Sequence, residues 1–287
     1  MTELRRRMIE DMKLRGHSQH TQRDYLSCVR ILAKYYKRPP DRLSEQDIRN
    51  FFLYLIEERR LSPSTVKVYL CGIKFFFVKT LRRKWPVFDL IRASKREKLP
   101  VVLTREEVRK IFSLINSIRN RMCLITIYSC GLRISEGTNL KVNDIDSKRM
   151  LVRIQTGKGN KERYAPLPKR TLELLREYWL LIRSQSWLFP ASDAVGHISN
   201  VTVAACFKKV LFKSGIAKPA TVHTLRHSYA THLLENGVDL QIIQRILGHK
   251  SPKTTTIYTH LTQKRVKQLH NSIDKLMSDL CDVFWNR

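Results

Sequence analysis

Between residues 92 and 100 the chain loses its apolar pattern. The stretch R-A-S-K-R-E-K-L-P carries five charges, has no helical or strand period, and ends in Pro100. A proline at that point prevents a helix from running through, and a run this charged is solvated linker rather than core. The 287 residues are therefore expected to fold as two units, residues 1–91 and 101–287, joined by a linker over 92–100.

Ahead of the linker every apolar run has helical spacing. Leu4 to Leu14 is a charged amphipathic segment that stops near Gly16. Ser18 or Thr21 can cap a second helix with Tyr25, Val29, Ile31, Leu32 and Tyr36 on its apolar positions, closed by Pro39 and Pro40. Ser44 to Asp47 opens a third, with Ile48, Phe51, Phe52, Leu53 and Leu55 facing inward. Ser62-Pro63-Ser64 starts a fourth, through Val68, Leu70, Ile73, Phe76 and Phe77. Lys and Arg fill the intervening positions, which predicts a small helical module with a basic outer face.

After the linker, Thr104 and Glu107 have capping-box spacing and open a new helical run. Met122 to Tyr128 reads as an apolar helix ending at Gly131. From Asp144 the period changes: Met150–Ile154 and Arg163–Leu167 read as strands, with Thr156-Gly-Lys-Gly-Asn160 as a hairpin turn. Helices resume at Thr171. Val266, Leu269, Ile273, Leu276 and Leu280 then recur at steps of three and four, an apolar stripe on a basic terminal helix.

Charge narrows the partners. Fifty-four Lys and Arg against 25 Asp and Glu leave a net +29. Residues 1–100 hold 24 basic and 11 acidic side chains, and residues 101–287 hold 30 and 14, so the excess is no tail on a neutral body. Both halves are expected to touch a polyanion, as a clamp around a duplex would. With 43% hydrophobic residues the chain can fill a core. No apolar run approaches the roughly 18 residues of a membrane span, and residues 1–20 lack a signal peptide's apolar stretch. The six cysteines are scattered without a C-x-x-C pair, which fits a reducing cytoplasm and no zinc ribbon. A phosphate-cradling G-x-x-x-x-G-K-[ST] loop is absent.

Several residues sit in settings that suit chemistry. Arg133 lies at the junction of two helices, able either to point into a cleft or to pair with Glu136. Lys158 occupies a glycine-flanked turn, which can lower it into a groove or leave it an ordinary turn lysine. His223 and Arg226 are spaced i, i+3 and share a helix face, where they can hold a phosphate and move a proton beside it, or serve as a cap and a helix-surface residue. His249 follows Gly248, and Tyr258 lies nine residues further on, after three threonines.

Five boxes in this order, G-L-R-I-S-E, T-G-K-G, H-T-L-R-H-S-Y-A-T-H-L-L-E-N-G, L-G-H and T-I-Y-T-H, make residues 100–270 resemble the tyrosine recombinase, or phage integrase, family. The helical N-terminal half is similar in pattern to that family's SAM-like core-binding domain. The implied fold is a two-domain C-shaped clamp, mainly α, with a small antiparallel β-sheet in an α+β catalytic domain. The implied activity is site-specific DNA strand breakage and rejoining with no cofactor and no metal. Tyr258 would be the nucleophile, giving a 3′-phosphotyrosyl link and a free 5′-hydroxyl. Arg133 and Arg226 would clamp the non-bridging oxygens. Lys158 would be the general acid for the leaving 5′-oxygen, His223 would assist proton transfer at Tyr258, His249 would hydrogen-bond the phosphate, and Glu136 would orient Arg133.

The resemblance also implies double-stranded DNA with an inverted-repeat recombination site as substrate. Four copies would assemble on two duplexes, with or without a partner recombinase. The location would be the cytoplasm, on the nucleoid, with no membrane contact and a link to mobile elements. The terminal helix would dock on a neighbouring protomer in cyclic exchange. Gly137-Thr138, where the family has apolar residues, is expected to loosen the helix after Arg133. Two other readings are set aside. A type IB topoisomerase shares the chemistry but needs neither the N-terminal module nor the terminal stripe. A helix-turn-helix regulator, reading bases with Gln241, Gln244 and Arg245, leaves Tyr258, Lys158 and Arg133 without a task.

Overall fold

In a computed structural model, residues 2–91, 101–155, 162–192, 196–248, 271, 273 and 274 are described. The chain divides into two compact units, Met1–Lys98 and Leu99–Arg287.

The first unit is helical: α1 (Glu3–Leu14), α2 (Gln19–Tyr36), α3 (Glu45–Leu53), α4 (Pro63–Phe75) and the short α5 (Val87–Leu90). Local chemistry sets each start. The Ser18 hydroxyl accepts the Thr21 N–H, Ser44 and Asp47 form a reciprocal capping box, and Ser62 accepts the Thr65 N–H ahead of Pro63. Met8, Met12, Leu32, Ile48, Phe51, Phe52, Leu55, Ile73, Phe76 and Phe77 make the core. Leu53 and Val68 are each 42% exposed, against expectation. Leu53 lies one position off the 48–51–52–55 stripe, and Val68 one off the stripe through Val66 and Tyr69. Helices α3 and α4 each run into a wide turn with i to i+5 bonds, from Arg59 N–H to the Tyr54 carbonyl and from Leu81 N–H to the Phe76 carbonyl.

The second unit holds α6 (Arg105–Ser113), α7 (Ile118–Ser129), α8 (Ile134–Thr138), β1 (Ile145–Asp146), β2 (Leu151–Ile154), β3 (Arg163–Pro166), α9 (Lys169–Ile182), α10 (Asn200–Lys213), α11 (Val222–Glu235) and α12 (Leu240–Leu247). The architecture is mainly α with one small antiparallel sheet, as expected. Thr104 and Glu107 do form the capping box of α6. Strands run in the order β1-β2-β3, with Val152 opposite Ala165 and Ile154 opposite Arg163. Strand β1 is an addition, too short at two residues to show a period. Helix α7 is buried continuously from Met122 to Ser129 and packs against α6, α8, α9, α10 and α11.

Two expectations meet a different structure. Gly137 does not loosen α8: a Cβ there would lie 2.4 Å from Ile127 Cγ1, so the missing side chain is what lets α8 close on α7. Thr138 is buried and donates to Asn200 Oδ1 at 2.7 Å, tying α8 to α10. On the terminal stripe, Ile273 is fully buried in the unit's own core, and Asp274 Oδ1 accepts the Lys169 N–H at the start of α9 at 2.7 Å. At this point the stripe packs in cis. Val266, Leu269, Leu276 and Leu280 lie outside the described residues.

Candidate active site

The corner between α7 and α8 is built around a glycine. Gly131 has φ +59°, and a Cβ there would sit 2.7 Å from the Tyr229 ring. The tight turn brings Arg133 to the residue preceding α8. Its backbone N–H donates to Glu136 Oε2 at 2.8 Å and its Nη1 to Glu136 Oε1 at 2.7 Å. Of the two sequence readings of Arg133, the pairing with Glu136 is the one seen, with Arg133 half-buried and Glu136 buried.

Glu136 is 2% exposed and gathers more than Arg133. Its Oε2 accepts from Arg163 Nη2 at 2.6 Å and lies 3.6 Å from Arg226 Nη1. Burial alone would raise this carboxyl's pKa. The Arg163 charge and the bonds from Arg133 outweigh it and hold the pKa below the usual carboxylate range.

Arg226 is 1% exposed, an unusual place for a guanidinium. Two main-chain carbonyls make it tolerable: Nη1 donates to Gly131 O at 2.6 Å and Nη2 to Leu247 O, the last residue of α12. Burial, with Arg133 and Arg163 nearby, pulls its pKa down to about 9, and it remains charged at neutral pH. Three guanidiniums thus face one carboxylate in a largely dry setting. The local excess of positive charge is a field that an anion completes.

His223 lies on the first turn of α11, exposed, with its ring 4.6 Å from that of His227. Partial burial first, then the charges of His227, Arg226 and Arg133, lower its pKa, so the imidazole is neutral at pH 7 and can pass a proton. His232, on the same helix, is structural: it is buried and hydrogen-bonded through Nδ1 to the Tyr128 hydroxyl at 2.7 Å. Tyr229 is fully buried core. Gln241, Gln244 and Arg245 are exposed on α12, but α11 has its middle turns committed to Arg226 and the core.

The structure thus brings together Arg133, Glu136, Arg226 and His223 of the predicted set. Lys158, His249 and Tyr258 lie outside the described residues. The residue that sequence reasoning missed is Arg163, whose only signal was its place at the head of a predicted strand. Among the described residues no group of three or more His, Cys, Asp or Glu side chains could hold a metal ion, and no helix is long and apolar enough to cross a membrane.

The profile of the phage integrase family matches residues 101–265, more than half the chain, and that of the phage integrase N-terminal SAM-like domain matches residues 4–87. The chain belongs to the phage integrase family. An integrase/recombinase of Escherichia coli is 31% identical to this family member over 93% of this chain and 92% of its own length. Tyrosine recombinase XerD of Oceanobacillus iheyensis is 32% identical, covering 90% and 93%. Among solved structures, a lambda integrase dimer bound to a core site superposes with a TM-score of 0.70 at 21% identity, over 86% of this chain and 94% of that one, and so shares the fold. XerH recombinase bound to palindromic difH substrate gives 0.59 at 26% identity, over 79% and 69%. This phage integrase family protein is accordingly a tyrosine recombinase, an enzyme of site-specific DNA strand breakage and rejoining.

Proposed function

We propose that this recombinase cleaves each DNA strand by attack of the Tyr258 phenol oxygen on the scissile phosphorus. The P–O5′ bond breaks, a P–O bond to tyrosine forms, and the DNA 3′ end becomes covalently held. His223, neutral at pH 7, takes up the phenolic proton or relays it. Lys158 donates a proton to the departing 5′-oxygen, since a free alkoxide leaves poorly. Arg133 and Arg226 bind the two non-bridging oxygens, and His249 adds a hydrogen bond to the same phosphate. Glu136 holds Arg133 in place. Rejoining is the same step reversed by a partner strand's 5′-hydroxyl. One phosphodiester exchanges for another, so the step is near thermoneutral and needs no ATP.

The observation that carries this reading is the clustering of Arg133, Arg163 and Arg226 around the buried carboxylate of Glu136. Preorganised guanidiniums in a low-dielectric setting stabilise charge that develops on a phosphorane. The domain assignment follows: residues 1–91 grip the duplex, 92–100 link, and 101–287 catalyse. The substrate is double-stranded DNA with inverted half-sites, and four protomers act on two duplexes, alone or with a partner recombinase. XerH bound to its palindromic substrate supports the inverted half-sites by likeness. The work is done in the cytoplasm, on the nucleoid. Exchange of the terminal segment between protomers involves positions beyond Ile273 and Asp274, which pack in cis.

Covalent capture tests the chemistry. Wild-type and Tyr258→Phe protein are incubated with a pool of nicked duplexes, denatured and resolved on a gel. A DNA adduct is expected from the wild type alone, with DNA binding retained by the variant. An adduct formed by Tyr258→Phe would overturn the assignment.

A further inference from the structure

We propose that Arg163 is a positioning residue for strand cleavage, bracing Glu136, and through it Arg133, against the C-terminal end of α12. The proposal rests on the reading of Arg133 as a phosphate clamp. Arg163 heads β3 opposite Ile154, and its guanidinium bridges two other elements. Nη2 donates to Glu136 Oε2 on α8 and Nη1 to the Ile246 carbonyl on α12, each at 2.6 Å. Its side chain is 13% exposed. Both ends of the fork are thus engaged by protein, and its reach from α8 to α12 is that of a brace.

The surroundings are shaped to this arginine. Gly248 ends α12 with φ +64°, and a Cβ there would stand 2.9 Å from Arg163 Cδ. The next carbonyl of α12, Leu247 O, takes Arg226 Nη2, so two guanidiniums hold the last two carbonyls of one helix. Both also converge on Glu136 Oε2. The result is a closed loop of contacts, α12 to Arg163 to Glu136 to Arg226 and back to α12, with Arg133 attached to the other carboxylate oxygen. A planar fork can span acceptors on two elements, whereas a lysine ammonium is a single point charge on a flexible stem. Loss of Arg163 leaves Glu136 free to shift, and Arg133 moves with it.

The test uses the full-length protein with Arg163→Gln and Arg163→Lys, scored by single-turnover adduct formation on nicked duplexes at saturating protein. Each variant is assayed on an ordinary scissile phosphodiester and on a methylphosphonate, which lacks one charged non-bridging oxygen. A misplaced clamp matters most where that charge must be stabilised. Both variants are expected to be about a hundredfold slower on the phosphodiester with unchanged DNA affinity. The gap to wild type should narrow by about an order of magnitude on the methylphosphonate.

Equal losses on both substrates, full activity in Arg163→Lys, or melting of both variants below the assay temperature would each overturn the proposal. Arg133→Ala is the control. If its defect does not narrow on the methylphosphonate, the clamp reading itself fails, and the proposal goes with it. If only the Arg163 variants fail to narrow, the brace alone is refuted.

Discussion

Arg226 and Arg163 both belong to the charge cluster at Glu136, yet only Arg226 could be picked out beforehand. Its signal is local, an imidazole and a guanidinium at i, i+3 on one helix. The partners of Arg163 lie 27 and 83 residues away in the chain, and nothing near residue 163 points to either. Arg133 and Glu136 were legible as a pair because they are neighbours, but the burial of Glu136 comes from the packing of α8 on α7. The histidines of α11 give a prediction at the same scale. Burial is the first cause that lowers the pKa of His223, His227 and His232, and neighbouring arginine charges add to it at each. In the unfolded chain such groups titrate near 6.5. Above that pH neither state binds the proton. As pH falls below it, the unfolded chain takes up protons that the folded helix refuses, so stability declines. Glu136 and Asp47, with pKa values below the ordinary carboxylate range, stay ionised over this window and do not offset the loss. The melting temperature should therefore drop steadily from pH 7 to pH 5, and His232→Gln should show a shallower drop from a lower starting point. A melting temperature that is flat over this range would contradict the account.

Helix starts in this chain were readable because a cap is a local contract between a hydroxyl or carboxylate and a nearby N–H. Ser44 with Asp47 and Thr104 with Glu107 are examples. The wide turns ending α3 and α4 were not readable, since the choice of an i to i+5 bond depends on how the following residues meet the core. Gly137 is the sharper case. Sequence alone prices a helical glycine as a weakness, because it lacks a side chain and adds backbone entropy. In place, the missing Cβ is the reason α8 can rest on Ile127, and α8 carries Glu136 directly behind Arg133. Gly137→Ala is expected to cost about 1–3 kcal/mol in a urea titration, as overpacked cores do. It should also slow adduct formation by displacing Glu136. The penalty should shrink when Ile127→Ala has removed the side-chain atoms that the new methyl would strike, a non-additivity expected of groups in contact. Additive losses in that pair would show that the close approach is not what constrains position 137.

For the molecule as a whole, nine patternless residues led to the expectation of two units, and spacing made the mainly helical content legible. The path of the terminal stripe was not, because amphipathic spacing does not say whose core a residue enters, and Ile273 enters its own. The distribution of charge leads to the last prediction. Each unit has a separate hydrophobic core. Of the net +29, +13 belongs to residues 1–100 and the remainder to the rest. If both units lie along phosphates, each contributes counterion release, and log affinity should fall linearly with log salt by about 0.9 for every phosphate neutralised. A full-length chain making 6–10 such contacts would lose on the order of a thousandfold or more in affinity between 50 and 200 mM salt. A fragment beginning at Leu99 keeps the catalytic unit but forfeits the phosphates met by the first. Its slope should be distinctly shallower than that of the full chain on the same duplex. Equal slopes for the two proteins would mean that the first unit's charge does not reach DNA, and the two-sided grip would have to be abandoned even if the chemistry at Tyr258 stood.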